Sequence, residues 1–258
     1  MNRTALAVAL AIAAVVGVVF GVFPQLDLDI SAWFFDPAAR GFTGVQAWTY
    51  YSRSAARALI TLLVAPAFVA VIGKLLLPRR RMLISGRAAL FLIATLALGP
   101  GVVAYNVFQE HSGRVRPVNV TEFGGTDYFT PWWDPSGSCR YNCSFIAGEA
   151  SSAFWTLAPA ALAPPQWRLP AYGAALAFGA FMGGLRIAAG GHFFTDVVFA
   201  GVFMFLLAWT AHGLIYRWGP TRLTDKAIEQ PLERLAGVLR HAMAALVRRL
   251  AGRKSPPA

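Results

Sequence analysis

The chain has 258 residues, 57% of them hydrophobic and only 14% charged, where soluble domains carry about 25% charged residues. With a mean hydropathy of +0.52, this balance excludes an ordinary soluble enzyme and points to a multi-span membrane protein. The formal charge of +11 does not indicate nucleic acid: no basic patch with interleaved aromatics occurs, and the cations fall where membrane topology puts them.

A hydrocarbon core takes about 20 mostly apolar residues per helix, and six segments qualify: residues 4–23, 58–77, 83–107, 144–163, 169–188 and 193–216. The first follows "MNR". Its apolar run is longer than a signal-peptide core and no small-x-small cleavage site follows, so it reads as an uncleaved span. The stretch "DLDISAWFFDP", from Asp27, reads as a segment along the outer interface with solvated acidic residues and no chemistry. "KLLLPRRR" with Arg87 joins the second and third spans, and Arg168 joins the fourth and fifth. By the positive-inside rule these ends are cytoplasmic, as are both termini. The outer face then carries residues 24–57, residues 109–143 and the turn Gly190-Gly191. Cys139 and Cys143, four apart in "SCRYNC", lack histidines at zinc spacing. On an outer loop they would close a small disulfide, with two free thiols as the alternative. After residue 219 the pattern changes. In "LERLAGVLRHAMAALVRRL", residues 232–250, leucines and Met243 recur at three- and four-residue steps among Arg234, Arg240, Arg248 and Arg249. This is a basic amphipathic helix, expected on the cytoplasmic leaflet or against a partner protein. The expected architecture is therefore all-α: a six-span bundle over residues 1–219 and an amphipathic tail over residues 220–258.

Ionisable groups at membrane depth are costly and mark functional sites. Gln109, Glu110, His111, Arg114, Arg116, Glu149, Arg186, His192 and Asp196 all fall near the outer face. Arg116 and Arg186 could each anchor a loop to headgroups, and a His192–Asp196 pair at i and i+4 on one helix face could be structural. Their convergence suggests more. Two arginine forks, a histidine and an orienting carboxylate are the parts needed to grip and attack a phosphate. A transporter is disfavoured, because the charges gather at one face and not at the midplane.

Arg116-Pro117, a glycine turn before a helix at Gly148, and Arg186-x5-His192-x3-Asp196 together resemble the type-2 phosphatidic acid phosphatase superfamily, in its integral membrane lipid phosphatase branch. The segment "FGGTDYFTPWW", residues 123–133, is similar to loops of bacterial members acting on lipid A. The resemblance implies a phosphatase working through a phosphohistidine on the periplasmic side of a bacterial inner membrane, with no metal or cofactor. Its substrate would be lipid A, undecaprenyl diphosphate, phosphatidylglycerol phosphate or phosphatidic acid. His192 would be the nucleophile, Asp196 would hold its other ring nitrogen, and Arg116 and Arg186 would clamp the phosphate oxygens. Gly148 would add a backbone N–H from a helix start. Three positions depart from the family. Gln109 stands for its lysine, Ala147 for its serine, and Glu149 for the histidine that protonates the leaving oxygen. A glutamic acid could do that work with a raised pKa, giving an acid-side optimum, and His111 is an alternative acid. Phe193, Phe194, Trp132, Trp133 and Trp155 could line an acyl groove or form an interfacial belt. The alternative function is a weak or inactive relative that binds lipid or aids assembly.

Overall fold

The structure is a computed structural model that describes residues 2–219 and 221–252. Pro220 and residues 253–258, the start and end of the expected tail, lie outside the described residues. It is a helical bundle. α1 (Arg3–Val22) starts where the Asn2 side chain accepts the Ala5 N–H, and α2 (Gln25–Ala32) follows at once. A two-residue hairpin, β1 (Phe35–Asp36) with β2 (Gly41–Phe42), pairs Phe35 with Phe42. Then come α3 (Ala47–Leu76) and α4 (Gly86–Leu96), the latter running on through a wide-turned segment, Ala97–Gln109, that contains Pro100. After a long loop the chain forms α5 (Gly148–Phe154), α6 (Leu157–Ala161), α7 (Pro165–Ala188), α8 (Phe194–His212, prolonged by Gly213–Arg217) and α9 (Asp225–Gly252).

Among the described residues, five helices are long and apolar enough to cross a membrane: α1, α3, α4 with its extension, α7, and α8 with its extension. The fourth expected span, residues 144–163, forms the helix pair α5–α6, which begins only at Gly148 and breaks at Trp155–Thr156. Pro159 supplies no N–H for the carbonyl four residues earlier, that of Trp155, and its ring crowds that carbonyl. Thr156 tightens the break, its hydroxyl donating to the Ala153 carbonyl at 2.6 Å. Nearly all of the pair is buried against the neighbouring helices. It is the centre of the bundle.

α9 does not begin as a detached tail. Asp225 meets Arg87 at 3.3 Å, and Lys74, buried near the end of α3, meets Glu229 at 3.3 Å and Glu233 at 2.7 Å. Beyond the buried Ala236, α9 leaves Val238, Leu239, Met243 and Leu246 exposed. The side chains of Arg249 and Leu250 lie outside the described residues.

The outer loop is fixed to the bundle by backbone bonds. The Cys143 N–H donates to the Gln109 carbonyl at 2.8 Å and the Cys139 N–H to Gly113 at 3.0 Å. A disulfide joins Cys139 to Cys143. The closed turn holds Asn142 with φ at 53° and aims it at Arg116. Removing the link with Cys139→Ser and Cys143→Ser should lower stability by about 2 kcal/mol and loosen the Asn142–Arg116 contact. Non-reducing thermal unfolding and KM together check this.

Candidate active site

At the loop-rich end of the bundle lies a cavity of about 390 Å³ whose wall includes Arg53, Gln109, Arg116, Gly148, Glu149, Arg186 and His192. Asp196 sits behind His192, fully buried. The structure thus gathers Gln109, Arg116, Gly148, Glu149, Arg186 and His192 around one space, with Asp196 behind it, from three separate stretches of chain, and adds Arg53 from a fourth.

The turn between α7 and α8 sets the Arg186–His192 spacing. Gly190 has φ at 64°, and a Cβ on Gly191 would collide with Arg186 Nη2. Only glycine at 191 lets the guanidinium fold back over the turn. The Val118 N–H donates to the Gly190 carbonyl at 3.0 Å, which ties the Arg116 loop to the same turn.

His192 precedes α8 and does not share a helix face with Asp196. Phe193 is the N-cap, and Asp196 folds back to accept the Phe193 N–H at 2.8 Å, the usual use of a carboxylate in a first turn. His192 Nδ1 lies 2.7 Å from the Ser144 carbonyl and 3.8 Å from Asp196 Oδ2. A carbonyl can only accept, so Nδ1 carries the proton and Nε2 keeps its lone pair. The tautomer suits a nucleophile, although the direct hydrogen-bond partner is Ser144 and not the expected Asp196. Burial pushes the His192 pKa below the ordinary imidazole value; Asp196 opposes this, and Arg116 and Arg186 add to it.

Asp196 is itself held by three donors: Arg114 Nη1 at 2.5 Å, Ser144 Oγ at 2.5 Å and the Phe193 N–H. Arg114 is 1% exposed. It also donates through Nη2 to Asp27 at 2.7 Å and through Nε to the Thr130 carbonyl at 3.1 Å. Its guanidinium lies 4.4 Å from the Phe193 ring centroid. Asp27 further accepts the Thr195 hydroxyl at 2.6 Å and the Thr195 N–H at 3.0 Å. The reading of Asp27 as solvated is therefore corrected: α2 turns Asp27 inward with Leu28 and Ser31, while Asp29 stays exposed. Burial raises the Asp27 pKa, Arg114 opposes that, and the Asp196 charge adds to it. One guanidinium thus bridges two buried carboxylates from opposite ends of the sequence.

Glu149 faces two cations. Arg53 reaches it at 2.6 Å through Nη2 and donates through Nε to both carboxylate oxygens at 2.8 and 2.9 Å; Arg186 Nε lies 3.3 Å away. Sequence reasoning missed Arg53. The available signal was Arg53 and Arg57 at i and i+4 near the outer end of a span. Arg116 donates to the carbonyl of Asn142 at 3.0 Å and to its side chain at 2.7 Å. Gln109 donates to the Ile146 carbonyl at 2.9 Å, bracing the approach to Gly148, where a Cβ would fall 2.9 Å from its amide nitrogen.

Other expected residues lie elsewhere. His111 lines a different cavity, with Trp132 and Trp133, and so is not placed to serve as the acid. Phe193 is buried beneath Arg114, Phe194 stacks on Phe20 at 5.2 Å, and Trp155 is buried with its indole N–H on Thr95. None of these three lines the cavity. The 123–133 loop instead covers the buried network, with Phe129 against Phe193 and Trp132 against Phe199. Among the described residues, no group of three or more His, Cys, Asp or Glu side chains is placed to hold a metal ion.

Residues 88–222 match the PAP2 superfamily. The chain is 36% identical to a lipid A 4'-phosphatase of Francisella tularensis subsp. novicida, over 77% of this chain and 90% of that protein. It is 34% identical to a lipid A 4'-phosphatase of Rhizobium leguminosarum and 32% identical to one of Rhizobium etli, each over 41% of this chain and 46% and 41% of theirs. No solved structure matches. The match spans α4 to α8 and contains Arg116, Arg186, His192 and Asp196, so the chain belongs to the PAP2 superfamily, in its lipid A phosphatase-like branch.

Proposed function

We propose that this protein is a membrane lipid phosphatase that removes a phosphate from a lipid headgroup at the outer, periplasmic face of a bacterial inner membrane, with lipid A the leading substrate. The observation that carries the reading is the His192 tautomer, its Nε2 lone pair left free beside a cavity walled by Arg116 and Arg186. The likeness to lipid A 4'-phosphatases supports the substrate class, and the basic loops at the other end of the bundle support the sidedness.

In this scheme the two arginines hold the phosphate oxygens, and His192 Nε2 attacks phosphorus in line. The P–N bond forms as the bond to the lipid oxygen breaks, and Glu149 gives that oxygen its proton. The Glu149 carboxylate then takes a proton from water, which attacks the phosphohistidine and releases inorganic phosphate. A phosphate that takes Arg186 draws one cation away from Glu149 and frees that carboxyl group to face the leaving oxygen. Asp27 and Arg114 act one step back, holding Asp196 beside His192. No step uses a metal, so phosphate release should survive a chelator.

Purified protein in detergent, given lipid A, undecaprenyl diphosphate, phosphatidylglycerol phosphate and phosphatidic acid, should release phosphate from at least one. Release from none, with lipid still bound, would make the protein a lipid-binding relative, the reading that the closed Arg53–Glu149–Arg186 cluster favours. Glu149→Gln separates the two. As the acid, its loss should lower release from lipid A about 100-fold, remove an acid-side optimum, and spare an aryl phosphate whose leaving group needs no proton. If Glu149 only fills the anion site, the same change should instead lower KM.

A further inference from the structure

A second cavity, of about 740 Å³, lies at the opposite end of the bundle. α7 carries Arg168 in its first turn and Arg186 in its last, so the two sites stand roughly 27 Å apart along that helix. The walls of this cavity change character with depth. Its lining includes Arg168, Arg217, Tyr172, His212, Leu176 and Phe205, and their positions along α7 and α8 set the order from the helix ends inward. On α7 the series Arg168, Tyr172, Leu176 steps by four residues, one helical face descending about 12 Å from charge to hydrocarbon. The antiparallel α8 repeats the order, His212 near the mouth and Phe205 two turns below.

The polar groups here are incompletely used. Tyr172 Oη and His212 Nδ1 are buried atoms with no hydrogen-bond partner among the described residues. Buried polar atoms are almost always paired, so two in one cavity mark a place for a ligand. Arg168 spends Nε and Nη2 on a single acceptor, the Ala163 carbonyl at 3.3 Å. The ligand must therefore offer acceptor oxygens and negative charge at the mouth and an apolar body below it.

We propose that this cavity binds an anionic phospholipid, its headgroup phosphate among Arg168, Tyr172 and His212 and an acyl chain along Leu176 and Phe205. The descent from charge to hydrocarbon selects a lipid over free phosphate. Basic pockets between spans are suited to anionic headgroups. The site is separate from the catalytic cavity and does not depend on turnover there.

The test uses the full chain in detergent, with native mass spectrometry and thermal unfolding to follow added dioleoyl phosphatidylglycerol, dioleoyl phosphatidylcholine or inorganic phosphate. The wild type should bind phosphatidylglycerol about tenfold more tightly than phosphatidylcholine, and inorganic phosphate should not compete for that binding. Arg168→Gln should remove that preference, consistent with the loss of a charge-assisted hydrogen bond, and Tyr172→Phe should weaken it several-fold without changing the shape of the cavity. Arg81→Gln, an exposed cation at the same end, and Arg186→Gln, in the other cavity, should both keep the preference. The proposal is overturned if the wild type shows no preference, if the preference survives Arg168→Gln and Tyr172→Phe, or if it falls equally in Arg81→Gln or in Arg186→Gln.

Discussion

Replacing His192 by alanine should leave a protein that still binds lipid phosphate and unfolds at nearly the wild-type temperature, but releases phosphate at least roughly 10⁴-fold more slowly. The size of the effect follows from the ring's position. Nε2 is the nitrogen left with a lone pair, because Nδ1 donates to the Ser144 carbonyl. The Ser152 hydroxyl on the same cavity wall is no substitute, since it donates to the Gly148 carbonyl at 3.0 Å. Binding should persist because Arg116 and Arg186 remain. The pH dependence carries the same signature. The His192 pKa lies below its usual 6.5, from burial first and the two arginines after, so the ring is neutral and able to attack at pH 7. Activity should fall only as pH drops through that depressed value, placing the acid limb of kcat/KM below 6.5. Single-turnover phosphate release across pH, with a phosphohistidine trapped in acid-free quench, measures both. Full activity in His192→Ala would remove the nucleophile from the scheme.

Arg114→Met should be the most damaging substitution for the fold. It leaves Asp27 and Asp196 buried, close and without their shared cation, at a cost of about 3–5 kcal/mol. Asp27→Asn should cost less, about 1–3 kcal/mol, because Arg114 keeps Asp196 and the introduced amide oxygen can still accept one donor. Both should lower kcat more than KM, since neither residue lines the catalytic cavity and each reaches His192 only through Asp196. Thermal unfolding gives the order of the two variants, and steady-state kinetics at a temperature where both are folded gives the split. Equal stability of the two, or an effect on KM alone, would show that Asp27 and Arg114 do not act through Asp196.

The sequence carried the grouping of the candidate site residues further than it carried the fold around them. Arg186, His192 and Asp196 lie within eleven residues, and Arg116-Pro117 and Gly148 stand at the ends of apolar segments, so local pattern sufficed to place them at one face. The fourth segment reads as one continuous helix because its composition is apolar. Hydropathy cannot tell a helix buried by protein from one buried by lipid, and only packing showed that α5–α6 is broken and central. Asp27 was misread for a related reason. An acidic residue in an interfacial stretch is solvated unless a cation meets it, and here the cation is 87 residues away.

The chain's own composition and spacing determined its apolar helices and which histidine, aspartate and arginines stand near one end of the bundle; the roles proposed for them rest on the family resemblance. The helices and that grouping are properties of short segments, set by hydrophobicity and by residue type. Only the tertiary structure decided which nitrogen of His192 is free, that Arg53 pairs with Glu149 across 96 residues, and that Asp27 completes a buried network with Arg114. Each of these depends on water being excluded between distant segments. That exclusion gives a charge-assisted hydrogen bond its strength and direction, and no local stretch of sequence records it.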